Sequence, residues 1–316
     1  MSFLLRKDVV DIRDLYLDMQ LIDKVVYQSE RRAKALLDIV PKGDLFVGMT
    51  GLQMEPQDCE IRGSHIRIRR VSNPPGIVHV CCAADSYSDV YGAARFSSAI
   101  KAEIVIERGT EQQEDETPLL ESAYHTAALI KLAGQLNLTC PVSATSSWNT
   151  IAAITDHSVH FRMLDDVPRR LGIQKPTRSL SKEDIEWVTV YWESALRLRH
   201  VSRRFGLAFN LAYVWNHTND IRVGIANLWC GLEALFGRQS DKKVTQSLVK
   251  RIVKWVPSFS KDSVGSLYDE RCNAVHGRMS ISQNAVRDSA ELLRQSIIRC
   301  IESSSVPLPD WELDAR

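Results

Sequence analysis

The hydrophobic positions change their spacing along the first half of the chain, and these changes predict its secondary structure. Over residues 7–40 apolar residues recur every three or four positions, which predicts a long helix that Pro41 ends. Short apolar runs bounded by turn residues follow, and such runs are typical of β-strands. The predicted strands cover residues 44–50, 60–71, 77–83, 99–107 and 158–164, and a helix is predicted over residues 118–136.

From residue 180 onward the hydrophobic spacing is helical. Ser181 and Asp184 form a capping box for a helix that runs towards Trp215. Gly237 and Pro257 stand where the next two helices are expected to end. These further helices are predicted over residues 221–236, 244–256 and 262–276, and from residue 284 onward.

The stretch between the two patterns has the composition of a linker. Residues 165–181 contain two prolines, one glycine and several charges, and we place the linker at residues 166–180. We therefore expect an α+β fold, in which an N-terminal α+β domain (1–165) of unknown role precedes a C-terminal all-α helical bundle (181–305). A loose tail, 306–316, is expected to follow.

Charge is distributed unevenly along the chain. The 316 residues are 44% hydrophobic and 25% charged, as in an ordinary globular protein, and the net charge of +1 excludes a global attraction to nucleic acid or membrane. Residues 180–305, however, contain 18 Lys and Arg against 13 Asp and Glu. Arg outnumbers Lys by 27 to 13, and its planar guanidinium suits bidentate contacts to phosphate. The predicted helical domain is thus the basic one.

The cysteines and the apolar runs predict a cytoplasmic protein. The seven cysteines show no C-x-x-C spacing, which favours reduced thiols over disulfides or a zinc site. The first apolar run has three residues before charges arrive, too few for the core of a signal peptide. No uncharged apolar run approaches the ~20 residues of a membrane span, so we expect no membrane contact.

Histidines and cysteines of the first half make a poor metal site. His157 and His160 would point to opposite faces of the predicted strand. His79 and Cys81 would share a strand face, but no third ligand accompanies them. We therefore expect neither a metal ion nor another cofactor.

A basic strand around Arg67 and Arg69 has two interpretations. Its arginines could bind RNA phosphates, as could Arg278 in the helical half. Alternatively, the strand is a solvated sheet edge, where charge prevents edge-to-edge pairing between molecules. The second interpretation is the more common one and is favoured for the strand.

The candidate chemistry lies in the segment LYDERCNAVHGR, residues 267–278. Arg271 is followed after four residues by His276, and such a pair could cleave RNA without a metal. The imidazole could take the proton of a 2′-hydroxyl or give one to the leaving 5′-oxygen, while the guanidinium holds the phosphate. On one helix the two side chains would lie roughly 140° apart and flank a groove. Asn273, one turn before His276, could orient the imidazole.

The helical half resembles a HEPN domain of the Apea-like kind. The resemblance is carried by residues 222–237 (RVGIANLWCGLEALFG) and by 267–277 (LYDERCNAVHG). It implies a helical bundle that forms a homodimer, with paired Arg-x4–6-His motifs in one cleft. It also implies a metal-independent endoribonuclease of a toxin–antitoxin, abortive-infection or other antiviral defence system, with an antitoxin or defence partner. Arg271 and His276 match the catalytic pair, and Glu233 matches a supporting acidic position.

Two alternatives remain open at the level of sequence. Arg271 could form a structural ion pair with Glu233 or Glu270, and His276 could favour a helix C-terminus by its charge alone. The helical half would then be a non-catalytic dimerisation or binding module, or the sensor subunit of a defence complex. The aromatic residues of this half could stack bases, but their helical spacing favours core packing.

Overall fold

The computed structural model describes residues 43–61, 65–86, 89–107, 116–134, 137–164, 179–237, 244–276 and 281–307. The helix predicted over residues 7–40, nearly all of the predicted linker, and the tail beyond residue 307 lie outside the described residues. Within the described part the protein is a mixed α+β structure with one antiparallel sheet. No helix in that part is both long enough and apolar enough to cross a bilayer.

Six strands form the sheet, in the spatial order β2-β3-β4-β1-β5-β6. Every neighbouring pair is antiparallel. The strands are β1 Leu45–Thr50, β2 Asp58–Ile61, β3 Ile66–Arg70, β4 Ala102–Ile106, β5 Thr139–Ala144 and β6 Phe161–Met163. All of them precede the residues that were predicted to be all-helical.

Helices make up the rest of the regular structure in the described residues. Ser181 caps the first helix of the second half, as predicted, by accepting a hydrogen bond from the Asp184 amide at 3.3 Å. The helices are α1 Ile77–Ala83, α2 Val90–Ser97, α3 Glu116–Leu132, α4 Lys182–Val201, α5 Arg203–Val214, α6 Ile221–Phe236, α7 Val244–Trp255, α8 Lys261–His276 and α9 Gln283–Ser303.

The two faces of the sheet belong to two different hydrophobic clusters. Alternate residues of β1, such as Leu45 and Val47, pack with α3 and with helices α4 to α9 in one large cluster. The opposite face of β5 and β6 packs against α1 and α2, with Trp148 fully buried between them. A side chain at Gly48 would crowd this second layer, because a Cβ atom there would lie 2.7 Å from the Cδ1 atom of Ile100.

Helix α3 joins the sheet to the helices of the second half through buried polar contacts. Lys131, almost fully buried, donates to the Oδ1 atom of Asn216 at 2.7 Å. The Trp192 indole donates to the hydroxyl of Thr126 at 3.0 Å. The hydrophobic cluster under the sheet is continuous with that of the helices. Each of these contacts ties a residue of α3 to α4 or to the end of α5.

The strand predicted over residues 77–83 is wrong, because this segment is helix α1. Its apolar run has no alternation, and the buried positions are Val80 and Ala83, three residues apart, as on a helix. Pro74 and Pro75 precede the helix, and the amide of Gly76 donates to the Nδ1 atom of His79 at 3.2 Å. The local turn therefore overrides the β-propensity of the run.

Other predicted elements change their bounds. The strand predicted over residues 60–71 is divided between β2 and β3, which pair with each other. The helix expected to run from Ser181 to Trp215 is broken at Ser202, whose extended backbone separates α4 from α5. Ser202 accepts a hydrogen bond from the amide of Phe205 at 3.2 Å and so caps the second of these helices. β5 and α2 lie in segments for which no regular element was predicted.

Candidate functional site

The candidate pair lies on α8, which packs beside α6. Two contacts join α6 and α8, and they follow each other in the same order along both helices. The two helices therefore run in the same direction here. The rings of Trp229 and Tyr268 meet edge to face with their centroids 5.3 Å apart, and one turn further on Glu233 meets Arg271. Trp229 is fully buried and donates to the hydroxyl of Ser289 on α9 at 3.2 Å. The buried Trp229 ring therefore packs α6 against both α8 and α9 next to the candidate site.

Arg271 is held on one edge and one face. Its Nη2 atom lies 2.8 Å from the Oε1 atom of Glu233. Its Cζ atom lies 5.6 Å from the centre of the Tyr268 ring, within range of a cation–π contact. The side chain is 22% exposed, and among the described residues its other N–H groups have no hydrogen-bond partner. An oxyanion could therefore approach Arg271 while Glu233 still holds it.

His276 is the last residue of α8 and is exposed. Asn273 is half-buried, and no hydrogen bond joins it to His276 among the described residues. The orienting role predicted for Asn273 therefore stays a prediction. Arg278 lies outside the described residues.

Two charged groups of the site affect the pKa of the Cys230 thiol. Cys230 lies on α6, one turn before Glu233. Partial loss of hydration raises the pKa of its thiol, the Glu233 carboxylate raises it further, and the Arg271 guanidinium opposes both.

The sequence analysis missed the role of Tyr268. This residue lies three positions before Arg271 on α8, so that its ring is on the same side of the helix as the guanidinium. The spacing Tyr-x-x-Arg in LYDER was visible, but it becomes informative only when α6 supplies Trp229 behind the ring. Glu233 and Glu270 were both considered as ion-pair partners of Arg271 from the sequence. The structure pairs Arg271 with Glu233.

Arg67 and Arg69 are occupied by carboxylates. They lie on β3, which is flanked by β2 and β4, so the expectation of an edge strand is wrong. Arg67 donates to both carboxylate oxygens of Asp58, which raises the pKa of the guanidinium, and lies 3.6 Å from Glu107. Arg69 donates to the fully buried carboxylate of Glu103 at 2.7 Å. RNA phosphates would have to replace these partners, so the geometry favours a structural role.

None of the three histidines considered as metal ligands lies on a β-strand, and each has its own surroundings. His157 has a left-handed backbone, with φ of 56°, and its Nδ1 atom lies 3.2 Å from the carbonyl oxygen of Ala84. His160 instead pairs with Asp85, with 3.2 Å between Nδ1 and Oδ2. His79 lies on helix α1 and not on a strand. In the part of the chain that the structure describes, no three His, Cys, Asp or Glu side chains are arranged to hold a metal ion.

The site thus combines a partly buried guanidinium, a carboxylate and an aromatic ring that hold it, and an exposed imidazole at the end of the same helix. Comparisons with protein-family models, with curated proteins and with solved structures find no match for this chain. The likeness to HEPN domains therefore rests on residues 222–237 and 267–277. What the site can do is argued below from its own geometry.

Proposed function

We propose that the chain is a metal-independent endoribonuclease of the HEPN type. The observation that carries this proposal is the partly buried Arg271, which Glu233 and Tyr268 hold while its remaining N–H groups have no partner among the described residues. His276 follows on the same helix and is exposed. An anchored guanidinium and an accessible imidazole on the same helix are the two kinds of group that metal-free phosphodiester cleavage needs.

Arg271 would bind the scissile phosphate. Its contact with Glu233 uses one edge of the guanidinium, which leaves N–H donors for the non-bridging oxygens. Negative charge accumulates on these oxygens as the 2′-oxygen attacks the phosphorus. A guanidinium fixed in advance stabilises that charge without reorganising, which is why its anchoring matters for the rate.

His276 would transfer the protons. A neutral imidazole takes the proton of the 2′-hydroxyl as the 2′-oxygen bonds to phosphorus, and an imidazolium gives a proton to the leaving 5′-oxygen. The products are a 2′,3′-cyclic phosphate and a 5′-hydroxyl. One imidazole cannot be base and acid in the same step, so we propose a homodimer in which two Arg–His pairs share one cleft. Val275, next to His276 in the sequence, is 54% exposed, and a second copy could cover it.

The two halves of the chain would have separate tasks. We propose that the α+β half, residues 1–165, senses a trigger, selects the RNA or holds the nuclease silent, and that the all-α half, 181–305, cleaves. Such an enzyme would act in the cytoplasm as a toxin in antiviral defence or abortive infection, with an antitoxin or defence protein as its partner. RNA is its substrate, and no cofactor is required.

The test is cleavage of a mixed tRNA and mRNA pool in EDTA by the full-length protein. We expect the wild type to cut and to leave 2′,3′-cyclic phosphate ends, and His276→Ala and Arg271→Ala to lose cleavage. His200→Ala is the matched control, because His200 is also an exposed histidine in the last turn of a helix. Wild-type cleavage by His276→Ala would overturn the proposed role of this residue.

A second candidate function is a non-catalytic dimerisation or RNA-binding module. It is favoured by the ion pair of Arg271 with Glu233, which also serves as a simple structural link between α6 and α8. This function predicts that the protein forms the same dimer, cuts no RNA in the presence of its trigger, and is destabilised by Arg271→Ala. Measuring cleavage, sedimentation and thermal unfolding on the same variants separates the two functions.

A further inference from the structure

The C-terminal end of α6 is held by arginines from both neighbouring helices. The last carbonyl groups of a helix have no partner within it. On α6 the Nη1 atom of Arg204, from α5, donates to the carbonyl oxygens of Ala234 at 3.0 Å and Gly237 at 2.9 Å. The Nε atom of Arg251, from α7, donates to the carbonyl oxygen of Phe236 at 2.6 Å. The last turn of α6 is therefore fixed from two sides.

Gly237 closes the same turn. Its amide donates to the carbonyl oxygen of Glu233 at 2.8 Å, and a Cβ atom on residue 237 would lie 2.6 Å from that oxygen. Such a separation is too short for a carbon beside a carbonyl oxygen, so any side chain here would displace the backbone of Glu233. Arg204 donates to the carbonyl oxygen of Gly237 and so stabilises the end of this turn.

Glu233 lies in this clamped turn, and its carboxylate is the group that holds Arg271. A continuous series of short contacts thus runs from Arg204 through the carbonyls of the last turn to Glu233, and from Glu233 Oε1 to Arg271 Nη2 at 2.8 Å. A shift of the turn would move the carboxylate and, with it, the guanidinium.

Arg204 is a costly way to cap a helix. It is only 7% exposed, and no carboxylate pairs with it among the described residues. A buried charge without a counter-ion is unfavourable, and the dipole of α6 offsets only part of the cost. An apolar side chain of similar length would avoid that cost, but it would leave the carbonyl groups of Ala234 and Gly237 without their donor from α5. The arginine therefore fixes the position of these carbonyl groups, whatever its net effect on stability.

We propose that Arg204 is a positioning residue of the nuclease site and acts on Arg271 through the last turn of α6 and Glu233. The inference rests on the proposed function only for its effect on RNA cleavage. The positioning itself is a property of the fold, and it can be measured with no substrate present.

The first test observes Arg271 directly by nuclear magnetic resonance of its Nε–Hε group in the full-length protein, assigned by its loss in Arg271→Lys. We expect Arg204→Met to shift this resonance. Arg294→Met is the matched control, because Arg294 caps a different helix by donating to the carbonyl oxygen of Leu132 at 2.7 Å. An unchanged resonance in Arg204→Met, or an equal shift in Arg294→Met, would overturn the inference.

A milder substitution guards against loss of the fold. Arg204→Lys keeps the charge and can donate to the carbonyls, but it lacks the planar guanidinium that holds the Nη1 atom in contact with both of them. We expect a smaller shift of the Arg271 resonance than in Arg204→Met, with an unchanged circular dichroism spectrum. A larger shift in the lysine variant than in the methionine variant would contradict the proposed path.

The second test is a double-mutant cycle on RNA cleavage. We expect Arg204→Met alone to lower the cleavage rate roughly ten- to a hundredfold, as misplacement of a transition-state ligand does. In a Glu233→Gln background the same substitution should change the rate by less than about twofold, because its effect passes through Glu233. Effects that multiply in the double variant would show that Arg204 acts otherwise.

The two proposals fail in different ways. If the wild type cuts no RNA while the Arg271 resonance responds only to Arg204→Met, the nuclease function is wrong and the positioning is right. If the wild type cuts RNA through Arg271 while Arg204→Met leaves the Arg271 resonance unchanged, the positioning role is wrong and the nuclease function stands.

Discussion

Mild acid should destabilise this protein through one buried histidine. His125, on α3, is 1% exposed and lies between α4 and α5. Its Nε2 atom lies 3.0 Å from the carbonyl oxygen of Trp192, so this nitrogen carries the proton and donates. The Nδ1 atom, 3.1 Å from the Nη1 atom of Arg199, then accepts. His125 also stacks on Phe209 with ring centroids 5.4 Å apart. The neutral imidazole fits this site, and the imidazolium does not.

The size of the effect follows from the proton affinity of the site. Burial lowers the pKa of His125 from 6.5 to about 4, with smaller contributions of the same sign from the charges of Arg199 and His200 and an opposing one from the Trp192 carbonyl. The unfolded chain therefore binds a proton between these pH values and the folded protein does not. The corresponding stability is complete above pH 6.5 and is lost as the pH falls towards 4, and it amounts to about 3 kcal/mol.

The assay is urea unfolding followed by tryptophan fluorescence at pH values from 7.5 to 4.5. The free energy of unfolding of the wild type should fall by about 3 kcal/mol more than that of His125→Phe, because phenylalanine keeps the ring but cannot titrate. The variant will be less stable at pH 7.5, so the comparison concerns the slopes. His65→Ala, at an exposed histidine just before β3, should keep the wild-type slope. Equal slopes for the wild type and His125→Phe would refute the reasoning.

Three further predictions concern stability and are checked by thermal or urea unfolding. Gly48→Ala should cost about 1–3 kcal/mol, because the new methyl group would meet Ile100 at 2.7 Å, and a wild-type melting temperature would contradict this. Ser181→Ala should cost about 1 kcal/mol by removing the cap of α4, whereas Ser181→Asp should restore most of it. Glu103→Gln should cost about 3 kcal/mol, because it removes the charge of a fully buried carboxylate that accepts three hydrogen bonds, and a loss below about 1 kcal/mol would disprove its anchoring role.

The long periodic segments were the ones that the sequence predicted well. The helices predicted over residues 221–236 and 262–276 correspond to α6 and α8, because apolar residues repeat over four turns and glycine or polar residues follow. Residues 77–83 were misassigned because a short run that is apolar except for His79 fits a strand and a helix equally well, and a turn made by Pro74, Pro75 and Gly76 decided between them. The break at Ser202 was missed because serine is also tolerated within helices.

The candidate site was predicted only as far as residues close in sequence allow. The spacing of Arg271 and His276 is a local property and can be read from one helix. The support that α6 gives to Arg271 depends on which face of α6 meets α8, and that depends on Trp229 packing against Tyr268. The clamp made by Arg204 joins residues about 30 positions apart, and an arginine early in a helix, next to Arg203, gives no sign of such a partner.

Helix α3 has a consequence for how the protein unfolds. Although it belongs to the half that contains the sheet, its buried polar contacts run to α4, α5 and α9, and one continuous apolar cluster lies on both sides of it. Unfolding of either half would remove contacts that α3 makes with it. Both halves should therefore unfold in one cooperative transition. A fragment that begins at residue 179 would expose the surface that α3 covers and should aggregate, which makes the helical half a dependent part of the fold.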